Sequence, residues 1–293
     1  MPSRKPDLLH AVEPPTGSGD GVPAPSPAVL RLNEACRRSG GWLSVGLEPC
    51  RAYLPAGFEA DIAGYERFLM TVVEASASVA AAFKFNLAFF EALGPDGWAM
   101  LHRVRARLPA GPLVIADAKR SDIGSSASFY ASALFEGLGA DAATVNPLMG
   151  RDSVEPFLDF EDRLTFVLVL TSNPGAADFL QAGGLYRRIA ESVRTWNHAG
   201  NCGCVVGATR PEQAAEVRRI VGAAPFLVPG VGAQGGDLIA TARNARASAS
   251  WAGALIHVTR GVLPGAEQAG DVLGAVRERA TAWRKKINSA FGS

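Results

Sequence analysis

The chain has 293 residues, 48% of them hydrophobic and 19% charged, and its formal net charge is +1. That length suits one large α/β domain or two ordinary ones, with ample apolar material for a core. The near-zero charge gives no electrostatic basis for binding nucleic acid or an anionic membrane, although a few local Lys and Arg suffice for one small anionic ligand.

Residues 1–26 are rich in Pro, Gly and Ser, including Pro14, Pro15, Pro23 and Pro25. Such a stretch buries too little apolar area to offset its ordering entropy, so a disordered tail is expected, followed by one domain over 27–293. The tail has no apolar core of the secretory type. No apolar run approaches the roughly 20 residues of a spanning helix; the longest strong candidate, Leu164 to Leu170, is strand-sized. A soluble, cytoplasmic protein is expected. Cys36, Cys50, Cys202 and Cys204 form no CxxC pair or Cys/His cluster with zinc spacing, and Cys202 and Cys204 read as small hydrophobes opening a strand.

Beyond the tail, short apolar strands alternate with amphipathic helices. The strand candidates are 42–47, 81–86, 113–118, 142–145, 165–170, 203–207, 226–229 and 254–258. Most are nearly continuous apolar runs, as in parallel sheets covered on both faces. Tyr65, Phe68, Leu69, Val72 and Val73 follow helical spacing; so do Trp98, Leu101, Val104 and Leu108, and Leu273, Val276, Ala280, Trp283 and Ile287. These stripes read as core faces. About eight β-α units predict a single (β/α)₈ TIM barrel. An open doubly wound sheet is the alternative, weakened because no GxGxxG follows the first strand.

Functional residues of such a barrel sit where strands end. Strand two ends Phe83-Lys84-Phe85-Asn86, and a lysine inside an apolar strand must be paired or functional. Strand three runs into Asp117-Ala118-Lys119-Arg120-Ser121-Asp122. Asp117 and Lys119 are two apart and are expected on one face, toward the barrel mouth; Asp122 lies in the loop beyond. Opposite charges in a poorly solvated pocket hold one another ionised. Two carboxylates and two ammoniums could support decarboxylation, aldol chemistry or enolisation. No histidine is expected nearby as a general base: His102 and His198 fall on predicted helices, and His257 is expected to pack within strand eight.

Phosphate is the second signal. Pro229-Gly-Val-Gly-Ala-Gln-Gly-Gly-Asp237 follows strand seven, and Thr259-Arg260-Gly261-Val262 follows strand eight. Glycines let backbone N–H groups approach an anion, and Arg260 is suited to a bidentate contact. Those two loops are the habitual phosphate site of this fold.

Lys84, Asp117-Ala-Lys119-Arg-Ser-Asp122-Ile-Gly, Thr144-Val-Asn-Pro147, Thr171-Ser-Asn-Pro-Gly-Ala-Ala-Asp178 and Pro229-Gly-Val-Gly-Ala-Gln-Gly-Gly236 together resemble orotidine 5′-phosphate decarboxylases, in particular the longer bacterial subgroup. The resemblance spans roughly 30 to 290. It implies decarboxylation of orotidine 5′-phosphate to uridine 5′-phosphate in pyrimidine biosynthesis, with no metal or organic cofactor. By the same resemblance, Lys119 is the proton donor to C6, Asp117 lies beside the departing CO₂, and Lys84 holds Asp117 and reaches the ribose. Asp122 reaches the partner's site in an obligate homodimer, joined by Ser126 at the ribose 2′-OH. Ser172 reads the pyrimidine edge. Gln234 and Arg260 bind phosphate, helped by the N–H groups of Gly235 and Gly261. One residue departs from the pattern: Glu48 stands where the family has a ribose-bonding Asp, so it either reaches the hydroxyl after a small backbone shift or weakens binding.

Two other readings fit parts of the pattern. A Mg²⁺-dependent sugar-phosphate enzyme shares DxKxxD but has an acidic ligand where Lys84 stands, and an ammonium there repels the metal. A non-catalytic nucleotide-binding barrel needs no alternating buried charges.

Overall fold

The computed structural model describes residues 25–232, 235–248, 251 and 253–292. The expected tail, through residue 24, lies outside the described residues. The eight strands are β1 (Leu43–Leu47), β2 (Ala82–Asn86), β3 (Leu113–Arg120), β4 (Ala142–Val145), β5 (Leu164–Leu170), β6 (Cys202–Val206), β7 (Phe226–Val228) and β8 (Ala254–Val258). They pair in chain order, all parallel, and β8 returns to β1, closing the barrel. The continuous apolar runs are strands whose every residue is buried in β1, β4, β5, β6, β7 and β8, which is why they lack alternation. Each observed strand lies within two residues of its expected ends; β3 runs furthest beyond, taking in Lys119 and Arg120.

Among the described residues ten α-helices pack on the barrel: α1 (Pro27–Ser39), α2 (Ile62–Ser76), α3 (Leu87–Glu91), α4 (Gly94–Ala106), α5 (Gly124–Ser132), α6 (Glu155–Leu158), α7 (Leu185–Trp196), α8 (Pro211–Val221), α9 (Leu238–Ala245) and α10 (Val272–Gly292). Their ends follow local chemistry. Ser26, Asp61 and Asp237 cap α1, α2 and α9 by accepting from backbone N–H groups, and Gly40 ends α1 in the left-handed conformation at φ 65°. α7 ends at Trp196, so His198 lies in the following turn rather than on the helix expected there.

α1 lies across the N-terminal end of the barrel. Ser26 Oγ donates to Gly200 O (2.8 Å), and the Arg31 guanidinium meets Asp162 O and the Asp141 carboxylate, both at 3.0 Å. Arg218 of α8 is buried near the same end. It donates to the carbonyls of Gly222, Ala224, Ala245 and Gly253, and lies 3.7 Å from the Phe226 ring centroid. These contacts satisfy backbone carbonyls that burial would otherwise orphan, and leave the C-terminal rim to carry the site.

Candidate active site

Lys84 on β2 and Asp117 on β3 are both buried, with Lys84 Nζ 2.5 Å from Asp117 Oδ2. Lys119 Nζ approaches the other carboxylate oxygen, Oδ1, also at 2.5 Å. Asp117 is thus clamped between two ammoniums. Burial alone pushes its carboxyl up, but Lys84 and Lys119 overcome that and hold it well below the usual carboxylate range.

Asp117 and Lys119 do converge, though not through regular strand alternation. Lys119 has φ 48°, the left-handed region, the single non-glycine residue with positive φ among those described. The β3–β4 register shifts between Ala116 and Arg120, the mark of a bulge. Thr144 on β4 holds the distortion: its Oγ1 accepts from Lys119 N (3.0 Å) and donates to Asp117 Oδ1 (2.9 Å). Thr144 belonged to a sequence motif, but its role as the clasp was not foreseen.

Two cavities meet at this array, sharing Lys84 and Pro229. One, about 240 Å³, includes Asp117, Lys119, Thr144 and Ser172 and is walled by Leu168, Val205 and Leu227. It suits a flat ring with a polar edge. The other, about 270 Å³, is lined by Glu48, Tyr53, His257, Thr259, Arg260 and Gly261, together with Gly230. It suits a sugar and an anion. Both sizes fall near the lower range for small-ligand sites.

The anion end is built from backbone and one guanidinium. Arg260 is exposed on the rim, and the Gly261 N–H has no acceptor among the described residues. The Gly235 N–H instead donates to Gly232 O (2.8 Å) within its own loop. Gln234 lies outside the described residues. Beneath both loops lies the Trp283 indole of α10: a Cβ on Gly261 would come within 2.3 Å of its Nε1, and one on Gly232 within 3.0 Å of its ring. Trp283, one of the expected core stripe, is half-buried and backs the loops after β7 and β8.

Ser172 follows β5, and Gly207 opposite must lack a side chain, because a Cβ there would meet Ser172 N at 2.6 Å. Asp122 and Ser126 stand apart from this cluster. The Asp122 carboxylate accepts from Ile123 N (2.8 Å), and Ser126 is exposed on the first turn of α5.

His257 does face the site. It is buried on β8 between Ser44 Oγ (3.3 Å from Nδ1) and Thr259 Oγ1 (3.1 Å from Nε2). Burial, reinforced by Lys84, pushes its pKa well down, so the imidazole is neutral. Glu48 is raised by burial, an effect Lys84 and the Thr259 hydroxyl partly offset. Among the described residues no group of three His, Cys, Asp or Glu is arranged to hold a metal ion, and no helix is long and apolar enough to cross a membrane.

Comparison with known proteins gives one consistent family. The sequence pattern of the orotidine 5′-phosphate decarboxylase / HUMPS family matches residues 43–276. An orotidine 5′-phosphate decarboxylase of Roseiflexus sp. (strain RS-1) is 46% identical over 261 residues, 87% of this chain and 95% of the relative. That of Aromatoleum aromaticum (strain DSM 19018 / LMG 30748 / EbN1) is 45% identical over 266 residues, 88% and 97% of the two chains. The solved structure of Leishmania donovani OMP decarboxylase is similar with a TM-score of 0.76 at 37% identity, covering 91% of this chain and 99% of that one.

Proposed function

The chain belongs to the orotidine 5′-phosphate decarboxylase / HUMPS family as an enzyme of its decarboxylase branch, and from that premise we propose that Lys119 is the proton donor in converting orotidine 5′-phosphate to uridine 5′-phosphate. The observation that carries this reading is the Lys84–Asp117–Lys119 array where the ring-sized and anion-sized cavities meet.

In this reading the 5′-phosphate lies against Arg260, the Gly261 N–H and the loop carrying Gln234 and Gly235. The sugar passes Glu48 and Lys84, and the pyrimidine enters the apolar chamber with Ser172 at its edge. The substrate carboxylate then lies beside Asp117. The bond from C6 to the carboxylate breaks, its electron pair stays on C6, and CO₂ leaves. Lys119 stabilises the developing negative charge and delivers a proton to C6; solvent reprotonates the amine. Asp117 stays ionised, so it holds the Lys119 side chain in place before the reaction. Contacts to the remote phosphate contribute by fixing the ring against this array. Asp122 and Ser126 complete the sugar site of a second copy in a cytoplasmic homodimer. No step requires a metal or organic cofactor.

The test is the ultraviolet absorbance change of orotidine 5′-phosphate in the presence of EDTA. Wild-type protein should convert it to uridine 5′-phosphate, and Lys119→Ala should lose at least about 10³-fold in kcat while still binding product, as expected for loss of a proton donor and a charge aimed at the transition state. Near-wild-type turnover by Lys119→Ala would overturn the assignment. Activity that appears only with added Mg²⁺ would favour sugar-phosphate chemistry instead.

A further inference from the structure

The polar groups left over by the mechanism are not scattered. Ser44, Gly46 and Glu48 alternate along the first strand and its continuation and share one face, toward the barrel interior. In the β1–β8 register Ser44 is paired with His257, which places Gly46 next to Thr259. The side chains form one chain of contacts: Ser44 Oγ to His257 Nδ1 (3.3 Å), His257 Nε2 to Thr259 Oγ1 (3.1 Å), and Thr259 Oγ1 to Glu48 Oε1 (3.2 Å). Among the described residues the Thr259 hydroxyl is the one hydrogen-bond partner of the Glu48 carboxylate, which makes no ion pair with Lys84.

Gly46 is the condition for this chain. A Cβ there would come within 2.0 Å of Thr259 Oγ1 and 3.1 Å of the His257 ring, so any side chain at 46 would push Thr259 off Glu48. The chain can run in either sense, from Ser44 toward an ionised Glu48 or from a protonated Glu48 toward Ser44, because hydroxyls and a neutral imidazole both donate and accept. In both senses Thr259 is the link. Glu48 itself lines the anion-side cavity together with Lys84, at the junction with the ring chamber. A nucleotide spanning the two cavities must bring its sugar past this carboxylate.

We propose that Thr259, seated by His257 in the space left by Gly46, is a positioning residue for Glu48, holding the carboxylate against the β8 wall so that its free oxygen meets the sugar hydroxyls. The inference rests on the decarboxylase reading of the site. It accounts for how a glutamate serves where a shorter aspartate would reach the sugar directly: the extra methylene is taken up sideways, by the bond to Thr259.

The test is a double-mutant cycle of Glu48→Asp and Thr259→Val, with Thr259→Ser and His257→Leu as companions. It is read both as KM and kcat for orotidine 5′-phosphate and as Kd for uridine 5′-phosphate by calorimetry, which needs no turnover. With Glu48 present, Thr259→Val should raise KM and Kd about tenfold, as expected for a lost hydrogen bond to a buried carboxyl group, with a far smaller change in kcat. His257→Leu should move both in the same direction, and Thr259→Ser should restore them. With Asp at position 48, Thr259→Val should change KM and Kd by less than about twofold, since the shorter carboxylate no longer leans on the hydroxyl. Equal losses in both backgrounds would overturn the inference, because a hydroxyl serving only the fold or the neighbouring phosphate loop acts regardless of residue 48. Wild-type protein that binds uridine 5′-phosphate without turning over the substrate would overturn the decarboxylase reading while the Kd cycle still decides Thr259. Failure to bind the nucleotide would overturn both.

Discussion

Lys119 combines two unfavourable features at one position. Its backbone is left-handed at φ 48°, which costs a non-glycine residue about 1–3 kcal/mol. Its ammonium is also committed to the Asp117 carboxylate, which is itself buried. Thr144 offsets part of this by bonding both residues at once. Because the folded pKa of Asp117 is held below its unfolded value, this clamp contributes its full stability above about pH 4 and loses it as pH falls through the folded value. At neutral pH, then, the charge contribution is constant and the backbone strain can be isolated. Lys119→Ala and Lys119→Gly both remove the ammonium, but only glycine is at ease at positive φ. Urea unfolding at pH 7 should find the glycine variant more stable than the alanine variant by about 1 kcal/mol, with both inactive. An alanine variant at least as stable would mean that the bulge relaxes once the lysine is gone, and that the ion pair, not the β3–β4 register, imposes the conformation.

At the scale of elements, the site depends on loops held from behind. The loops after β7 and β8 pass so close to α10 that Gly261 has no room for a side chain: its Cβ would lie 2.3 Å from Trp283 Nε1. Gly261→Ala must therefore displace the indole or the anion loop. Such overpacking carries a penalty of about 1–3 kcal/mol, expected as a rise of about tenfold or more in KM for the phosphate-bearing substrate and a shift in tryptophan emission. Trp283→Leu in the same chain should recover part of the loss by vacating the space; no recovery would show that the loop backbone, not the indole, sets the anion site. This dependence was hidden in the sequence, where Trp283 shares its helical spacing with Val276, Ala280 and Ile287, all three buried. Helical spacing reveals which face of α10 packs inward but not that one member of the stripe lies beneath two loops. By contrast Lys84 was legible, because a lysine flanked by the apolar residues of a strand buried from Ala82 to Phe85 has few explanations. The Lys119 bulge was not: it coincides with a register shift against β4 and with bonds to the Thr144 hydroxyl, which no pattern within β3 encodes. His257 was placed on β8 from its strand pattern, but its contact with Ser44, and the bond its neighbour Thr259 makes to Glu48, exist only because β8 closes against β1.

At the scale of the whole molecule, barrel closure was readable from eight short runs of continuous apolar residues, whereas the proposed dimer is to be tested against what the barrel leaves uncovered. The rim around Asp122 is unusually apolar for a surface: Ile123 is 49% exposed, Phe129 78%, Leu148 55% and Met149 50%. These residues flank the ends of β3 and β4, beside the carboxylate that the decarboxylase reading assigns to a neighbouring subunit's sugar site. A second copy related by a two-fold axis would cover this patch and bring Asp122 to the opposite cavity, since an isologous contact exchanges the same surface in both directions. The arrangement predicts complementation between dead chains. Asp122→Asn and Lys119→Ala should each be inactive alone, because every site in either homodimer lacks one group. Mixed and allowed to exchange subunits, they form hybrids in which one site takes Lys119 from the first chain and Asp122 from the second, and the other site lacks both. Random exchange of equal amounts should restore about one quarter of the wild-type activity. Exchange can be followed independently by mass spectrometry of the intact dimers. Hybrids that form without activity would show that Asp122 serves the barrel that carries it; activity that rises in step with hybrid content would place each site at the junction of two chains.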